Sequence, residues 1–179
     1  MIRKISLAIV LIFLITGMGF AFQNEPDGFR GLKWGDVPTE DMTFLYQISY
    51  KEDHLKDING NKYYKSKDNP YIGSVKLYKI EYTFNLCSNQ FYKVEASFSD
   101  EINYNILKII FEEKFGEPTK KEKYFLYWGG DKAYIHILFN STGYGKGYGH
   151  LSIQSREIRP GDPPEINKQK EVEKAKEDF

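Results

Sequence analysis

The chain has 179 residues, the length of one ordinary domain, and its 25 basic and 25 acidic residues give a formal net charge of +0. This balance excludes a chain drawn as a whole to nucleic acid, and a mean hydropathy of −0.55 excludes a protein with many membrane spans. The single cysteine excludes an internal disulfide and a zinc site built from several cysteines.

The first segment predicts an export signal. Arg3 and Lys4 form a positive start, residues 5–22 are uncharged and apolar, and Gly19 and Ala21 provide small residues at a cleavage site. We expect residues 1–21 to be a signal peptide that is removed, which makes the protein periplasmic or secreted. The alternative is a retained anchor, because the apolar run is just long enough to span a bilayer, and membrane contact is expected only in that case.

Residues 22–27 predict a flexible leader. Beyond them, Asp36 is suited to cap a helix and Pro38 to occupy its first turn. Since Met42, Leu45 and Tyr46 follow at helical spacing, the pattern predicts a short helix at about 38–48.

The segment over residues 49–70 has the weakest pattern. Asn59-Gly60 is a strong turn dipeptide, and residues 62–65 favour a strand after it. The stretch around Asp57 resembles part of a calcium loop, but the first ligand position falls on Leu55, which has no ligating side chain, so we interpret it as a turn.

The clearest local patterns lie in the second half of the chain. Two runs with alternating apolar residues, within residues 74–84 and 91–99, predict a hairpin. A broad apolar stripe then predicts a helix over residues 101–115, and Gly116 with Pro118 is typical of a helix end. The stripe consists of Ile102, Ile106, Leu107, Ile109, Ile110 and Phe111.

Three further strands are predicted within residues 124–128, 133–139 and 149–155, and they form an antiparallel meander. The glycine-rich run from Gly143 to Gly149 lacks the lysine-serine ending of a phosphate loop and predicts a hairpin loop instead. Residues 159–179 are rich in lysine and glutamate and predict a disordered tail.

Together these elements predict an α+β domain over residues 28–158. Its antiparallel sheet packs on one main helix at about 101–115, with the short N-terminal helix at about 38–48 nearby.

Aromatic side chains are the most prominent candidate contact residues. Large rigid rings can stack on sugars or bind a protein partner, because they bury area at low entropic cost. The alternative is that half of these rings simply fill the core. The candidates are Trp34, Tyr127, Trp128, Tyr134, Tyr144 and Tyr148.

Catalytic chemistry has a weaker basis in this sequence. His136 and His150 lie on neighbouring predicted strands and are expected to approach each other, but no carboxylate is placed to complete a metal site. Cys87 is expected to be a small buried or half-buried residue near a strand end. We predict no cofactor and no metal.

Several stretches resemble a family of uncharacterised exported bacterial proteins. Those proteins open with a G-F-R-G-[IL]-x-W-G pattern, which matches Gly28–Gly35 here, and the likeness continues through Tyr82–Phe84, Phe91–Val94 and Tyr104–Gly116 to Tyr127–Gly129. The order of helix, Gly116-Glu117-Pro118 and aromatic strand is also similar to small lipoproteins of outer-membrane assembly, although the lipid-bearing cysteine of that family is missing. Neither resemblance implies an activity.

The leading hypothesis is therefore a non-enzymatic protein of the cell envelope that binds a protein partner through an aromatic sheet face or the glycine-rich loop. A carbohydrate- or peptidoglycan-binding module is the first alternative, with a glycan as its partner. A hydrolase that uses carboxylates or the two histidines is the second, and nucleic acid is not an expected partner.

Overall fold

The computed structural model describes residues 22–50, 59–67 and 69–158, which contain twelve strands and one helix. The predicted signal peptide (residues 1–21) and tail (residues 159–179) lie outside the described residues. The helix is α1 (Glu101–Phe115), and the strands are β1 (Gly28–Phe29), β2 (Leu32–Lys33), β3 (Thr43–Tyr50), β4 (Asn59–Lys65), β5 (Tyr71–Ile72), β6 (Val75–Lys76), β7 (Lys79–Asn85), β8 (Phe91–Ser99), β9 (Lys120–Glu122), β10 (Phe125–Gly129), β11 (Ala133–Gly143) and β12 (Lys146–Ser155).

Eight strands form one antiparallel sheet in the order β3-β4-β7-β8-β12-β11-β10-β9, and α1 packs across one face of it. The predicted α+β class, the β7–β8 hairpin and the meander of β10, β11 and β12 are confirmed. Two small hairpins, β1–β2 and β5–β6, lie outside the large sheet. Neighbouring strands of this sheet are joined by consecutive hairpins except at two places, where β4 pairs with β7 beyond the β5–β6 hairpin and where β12 returns to β8.

The core lies between α1 and the sheet. Leu107 and Phe111 from the helix join Ile135 and Ile137 of β11 in one buried cluster, and the ring of Trp128 lies 6.0 Å from that of Phe111. Burial of this apolar surface, at about 25 cal/mol per Å², is the main term that stabilises the domain.

Helix α1 has the predicted bounds, and Gly116 ends it with a φ of 78° while its N–H bonds the carbonyl of Glu112. The predicted apolar stripe is only partly buried, because Ile102 and Ile109 are 72% and 55% exposed. The buried face is centred instead on residues spaced by three or four positions, which are Tyr104, Leu107, Phe111 and Phe115.

The predicted short helix at 38–48 is wrong, because Thr43–Tyr50 is a strand. The helical spacing of Met42, Leu45 and Tyr46 arises by coincidence where the strand carries a bulge at Leu45. Pairing with β4 outweighs that spacing, and the ring of Tyr46 stacks on that of Tyr63 at 4.5 Å.

The predicted turn at Asn59-Gly60 is also wrong, because both residues belong to β4, while the strand predicted just after them is confirmed. A Cβ atom at Gly60 would collide with the carbonyl oxygen of Ile48 on β3, so glycine here permits close pairing of the strands.

Residues 22–27, the predicted leader, contact the domain at several points. The ring of Phe22 packs edge-on against Phe115, and the side-chain amide of Asn24 donates to the carbonyl of Lys114. The carboxylate of Glu25 accepts the backbone N–H groups of the β10–β11 turn, at Asp131, Lys132 and Ala133. No helix within the described residues is long and apolar enough to cross a membrane.

Candidate functional site

One face of the large sheet is covered by α1, and the opposite face, here called the open face, carries a row of polar residues. Strand register places one residue from each of five adjacent strands side by side, because side chains alternate between the two faces. This polar row consists of Glu81, Glu95, Ser152, His136 and Tyr127.

Glu95 is the centre of an ion network on the open face. Its Oε1 lies 2.7 Å from Nζ of Lys93 and 3.3 Å from Nε2 of His150. Burial alone would raise the pKa of the Glu95 carboxyl, but hydrogen bonds from His150 and Lys93 outweigh it and lower that pKa to about 2. Glu95 is therefore a fixed negative charge, unsuited to act as an acid near neutral pH.

Glu81 lies directly opposite Glu95 in the ladder and is almost fully buried. Nζ of Lys79 lies 2.6 Å from its carboxylate, and the hydroxyl of Tyr46 donates to the same carboxylate at 3.3 Å. Burial, followed by the negative charge of Glu81, raises the pKa of the Tyr46 hydroxyl. The two facing carboxylates are thus each neutralised by a lysine on the same strand.

The expected approach of the two histidines is confirmed, since the rings of His136 and His150 lie 5.6 Å apart across β11 and β12. Burial, and then the neighbouring His150, lowers the pKa of His136, which favours its neutral form. Oγ of Ser152 is buried beside them but makes no hydrogen bond, so it is not paired with a base. Within the described residues, no group of three or more His, Cys, Asp or Glu side chains is arranged to hold a metal ion.

Three of the six predicted contact residues lie on the open face. The rings of Tyr127 and Tyr134 lie 6.2 Å apart, and their hydroxyls bond Arg156 and Gln154. Tyr148 lies farther along β12 and is 57% exposed. Burial raises the pKa of the Tyr134 hydroxyl, so the ring presents a neutral surface at physiological pH.

Tyr144 lies apart from these rings, at the tip of the β11–β12 hairpin, and is fully exposed. Positive φ angles at Tyr144 and Gly145, of 51° and 72°, form the two-residue turn that this hairpin needs. The tip is attached to the start of α1, because the N–H of Glu101 donates to the carbonyl of Gly145. The predicted hairpin loop is therefore a tight turn between long strands.

The two tryptophans belong to the helix side of the sheet. Trp128 is fully buried, and its indole N–H donates to the carbonyl of Gly116. Trp34 stacks on Phe91 with ring centres 5.0 Å apart, and its indole N–H donates to the carbonyl of Pro26. Trp128 thus belongs to the core, and Trp34 is partly buried against it.

Cys87 is exposed in the β7–β8 turn, which corrects the expectation of a buried or half-buried residue. Its backbone N–H donates to the side chain of Asn85, a pairing typical of a turn. The side chain of Cys87 therefore does not pack in the core.

Strand β3 is the surface that the sequence prediction missed. It ends the sheet on one side and contains eight residues without a charge. Its large apolar side chains are exposed by about two fifths to one half on both faces of the strand, and they are Phe44, Leu45, Tyr46 and Ile48. The uncharged run of β-favouring residues, TFLYQISY, is the signal that could have identified it.

Strand β9, at the other edge of the sheet, is only three residues long and fully charged. Lys120 pairs with Glu122 at 2.8 Å, and Lys121 pairs with Glu112 of α1 at 2.8 Å. Short length and charge are the usual means by which an edge strand is kept from pairing with another chain. Of the two edges, β3 is therefore the one suited to accept a further strand.

Cavities of about 280 and 310 Å³ surround the β1–β2 hairpin and are lined by Phe29 and Arg30. The guanidinium of Arg30 donates to the carbonyls of Asn69 and Tyr71, which attaches this hairpin to the β5–β6 hairpin. Arg30 and Gly31 have positive φ angles of 51° and 85°. The G-F-R-G pattern thus has a structural role in a tight turn.

The chain matches no protein-family model, no curated protein and no solved structure. The class that its geometry defines is an α+β domain whose sheet has one helix-covered face, one polar face and an edge strand, β3, that pairs with no described strand other than β4.

Proposed function

We propose that the protein is a non-enzymatic, exported interaction module that binds protein partners by accepting an extended segment along β3. The observation that carries this proposal is the uncharged, partly exposed edge strand. An added strand gains main-chain hydrogen bonds along the edge and side-chain contacts on both faces.

The position of Tyr46 also supports this proposal. Tyr46 belongs both to β3 and to the open face, where its hydroxyl bonds Glu81. A segment added beside β3 would place alternate side chains next to Tyr46 and Ile48 on that face and next to Phe44 on the other. We expect specificity for apolar or aromatic residues at alternate positions.

The proposal is tested by selecting short random peptides that bind the immobilised full chain and by mapping them with amide hydrogen exchange. Selected peptides should slow exchange in β3 and leave exchange in β9 unchanged. Binding should be weakened at least tenfold by the double substitution Phe44→Glu and Ile48→Glu and unaffected by Ile102→Glu and Ile109→Glu, which place the same charges on exposed positions of α1. Peptides that protect another surface would overturn the proposal.

The paired rings of Tyr127 and Tyr134 favour glycan binding as a second candidate. Tryptophan fluorescence is a poor reporter here, since Trp128 is buried on the opposite face. Cell-wall fragments should instead shift the NMR signals of these two tyrosine rings, and the shift should be lost in Tyr134→Ala. Unchanged ring signals at millimolar glycan would exclude this candidate.

A further inference from the structure

We infer that the strand which occupies β3 is β3 of a second copy of this chain, paired antiparallel about a two-fold axis. This inference rests on the proposed function, since it names the partner of the same edge. Two comparisons support it. The residues of β3 match those of a second, antiparallel β3 in polarity and charge, whereas they do not match the short, charged strand β9 at the other edge of the sheet.

The regular part of β3 runs from Tyr46 to Tyr50, because the bulge at Leu45 interrupts its ladder with β4. An antiparallel pair centred on this part places Ile48 opposite Ile48 of the second copy. Gln47 then lies opposite Ser49, and each Tyr46 lies opposite Tyr50 of the other copy. Ile48 thus meets Ile48 on the open face, and the polar Gln47 meets the polar Ser49 on the helix side.

Charge also favours self-pairing. Residues 43–50 contain no ionisable group other than tyrosine, so two copies of the strand bring no like charges together. Like charges directly opposite each other are one of the means that prevent the edges of identical sheets from joining.

Pairing of β3 with β9 of another copy is disfavoured by comparison. Strand β9 has three residues against eight, and all three of its side chains are charged. A β3–β9 contact would also be heterologous and would extend into an open chain of molecules, whereas the β3–β3 contact is closed after two copies. The predicted assembly is a dimer with a continuous sixteen-stranded sheet, twice the eight strands of one copy.

The contact is small. Pairing of five residues along an edge buries less than the roughly 1,200 Å² of the smallest stable interfaces. We therefore expect a dimer that forms as concentration rises and dissociates on dilution.

Sedimentation velocity of the full chain across a wide concentration range tests the dimer. The unchanged chain should show a concentration-dependent dimer, and Ile48→Lys should remain a monomer, because two lysines would face each other at the two-fold axis. The matched control is Ile102→Lys, which places the same substitution on an exposed isoleucine of α1 and should dimerise as the unchanged chain does. Circular dichroism establishes that both variants are folded.

Cross-linking tests the register in the Cys87→Ser background, which removes the exposed native thiol. Ile48→Cys should form an intermolecular disulfide under mild oxidation, since facing Cα atoms of an antiparallel pair lie about 4.5–5.5 Å apart. Lys121→Cys, at the middle of β9, should not.

A full chain that stays monomeric at every concentration, or one that cross-links equally through position 121, overturns the inference. If such a monomer still binds selected peptides along β3, the proposed function holds and only the identity of the partner is wrong. If it binds no peptide there, both fail.

Discussion

The two ends of the sheet differ in how their strands are covered. Around β11 and β12, α1 covers one face of the sheet, and residues 133–140 of β11 alternate between buried and half-buried. At β3 the side chains are exposed on both faces, and the strand carries no charge to keep other chains away. The covered strands supply the apolar burial that stabilises the fold, and the uncovered edge is the surface on which the proposed binding rests.

The same comparison accounts for the unequal edges. Strand β9 is joined to α1 by the ion pair between Lys121 and Glu112, so its charges both protect the edge and face the helix. Strand β3 pairs only with β4 among the described strands. An edge strand without charge is a hazard for aggregation when nothing pairs with it, and this hazard is one reason for the binding role proposed above.

The largest expected effect is Ile137→Asp at the covered end. Ile137 is fully buried in the middle of β11, so an unpaired charge there should destabilise the fold by more than about 4 kcal/mol and leave the chain unfolded at room temperature. Thermal melting followed by circular dichroism measures this. Ile48→Asp on β3 is the matched comparison at the exposed edge. An equal loss of stability in that variant would contradict the difference in burial between the covered strands and β3.

The next effect concerns the helix that covers the sheet. Phe111→Ala should destabilise the domain by about 3–5 kcal/mol, because the ring is buried against Trp128 and leaves a cavity when removed. Ile109→Ala, on the exposed side of the same helix, should change stability by less than about 0.5 kcal/mol. Urea unfolding of the two variants should therefore give clearly separated midpoints, and coincident midpoints would contradict the assigned buried face.

The contrast between the two ends also separates what the sequence could predict from what it could not. The covered end was predictable, since strong alternation in β11 and a long apolar helix ended by Gly116 are local signals. The strand at Thr43–Tyr50 was not, because its pairing with β4 is non-local and the bulge at Leu45 imitates helical spacing. Strand character there depends on tertiary contacts, which override local preference.

Part of the candidate site, too, was predictable from the sequence, and part was not. The sequence proposed Tyr127 and Tyr134, whose rings lie near each other, and it anticipated the approach of His136 and His150. It did not find the ion network of Glu95, because the register that brings β8 beside β12 joins residues more than fifty positions apart. It also could not place Trp128 in the core, since a strand pattern alone does not say which face the helix covers.

Measuring the stability of the domain as a function of pH tests the role of Glu95, which lies on β8 near the middle of the sheet. The folded-state pKa of about 2 is below the ordinary 4.5, so the stabilising contribution of Glu95 is complete above about pH 4.5 and is lost as pH falls toward 2. The lowered pKa of His136 acts in the same direction below its ordinary value of 6.5. We expect the urea midpoint to fall as pH decreases over this range, and Glu95→Gln to flatten the dependence below pH 4.5. An equally steep dependence in that variant would mean that Glu95 is not the group responsible.

The smallest expected effect on folding is at the protected edge. Lys120→Gln with Glu122→Gln removes an exposed ion pair from β9 without changing the net charge, and it should alter the stability of the domain by at most about 1 kcal/mol. If charge is what protects this edge, the variant should nevertheless form larger assemblies than the unchanged chain in sedimentation velocity, because both edges would then accept a strand.

Glu113→Gln with Lys114→Gln on α1 is the control for that experiment, since it makes the same two chemical changes away from either edge. This control should keep the association state of the unchanged chain. Assemblies of equal size in the two variants would show that loss of surface charge in general drives association. No larger assembly in the β9 variant would show that the shortness of β9, three residues against the eight of β3, is sufficient to protect it.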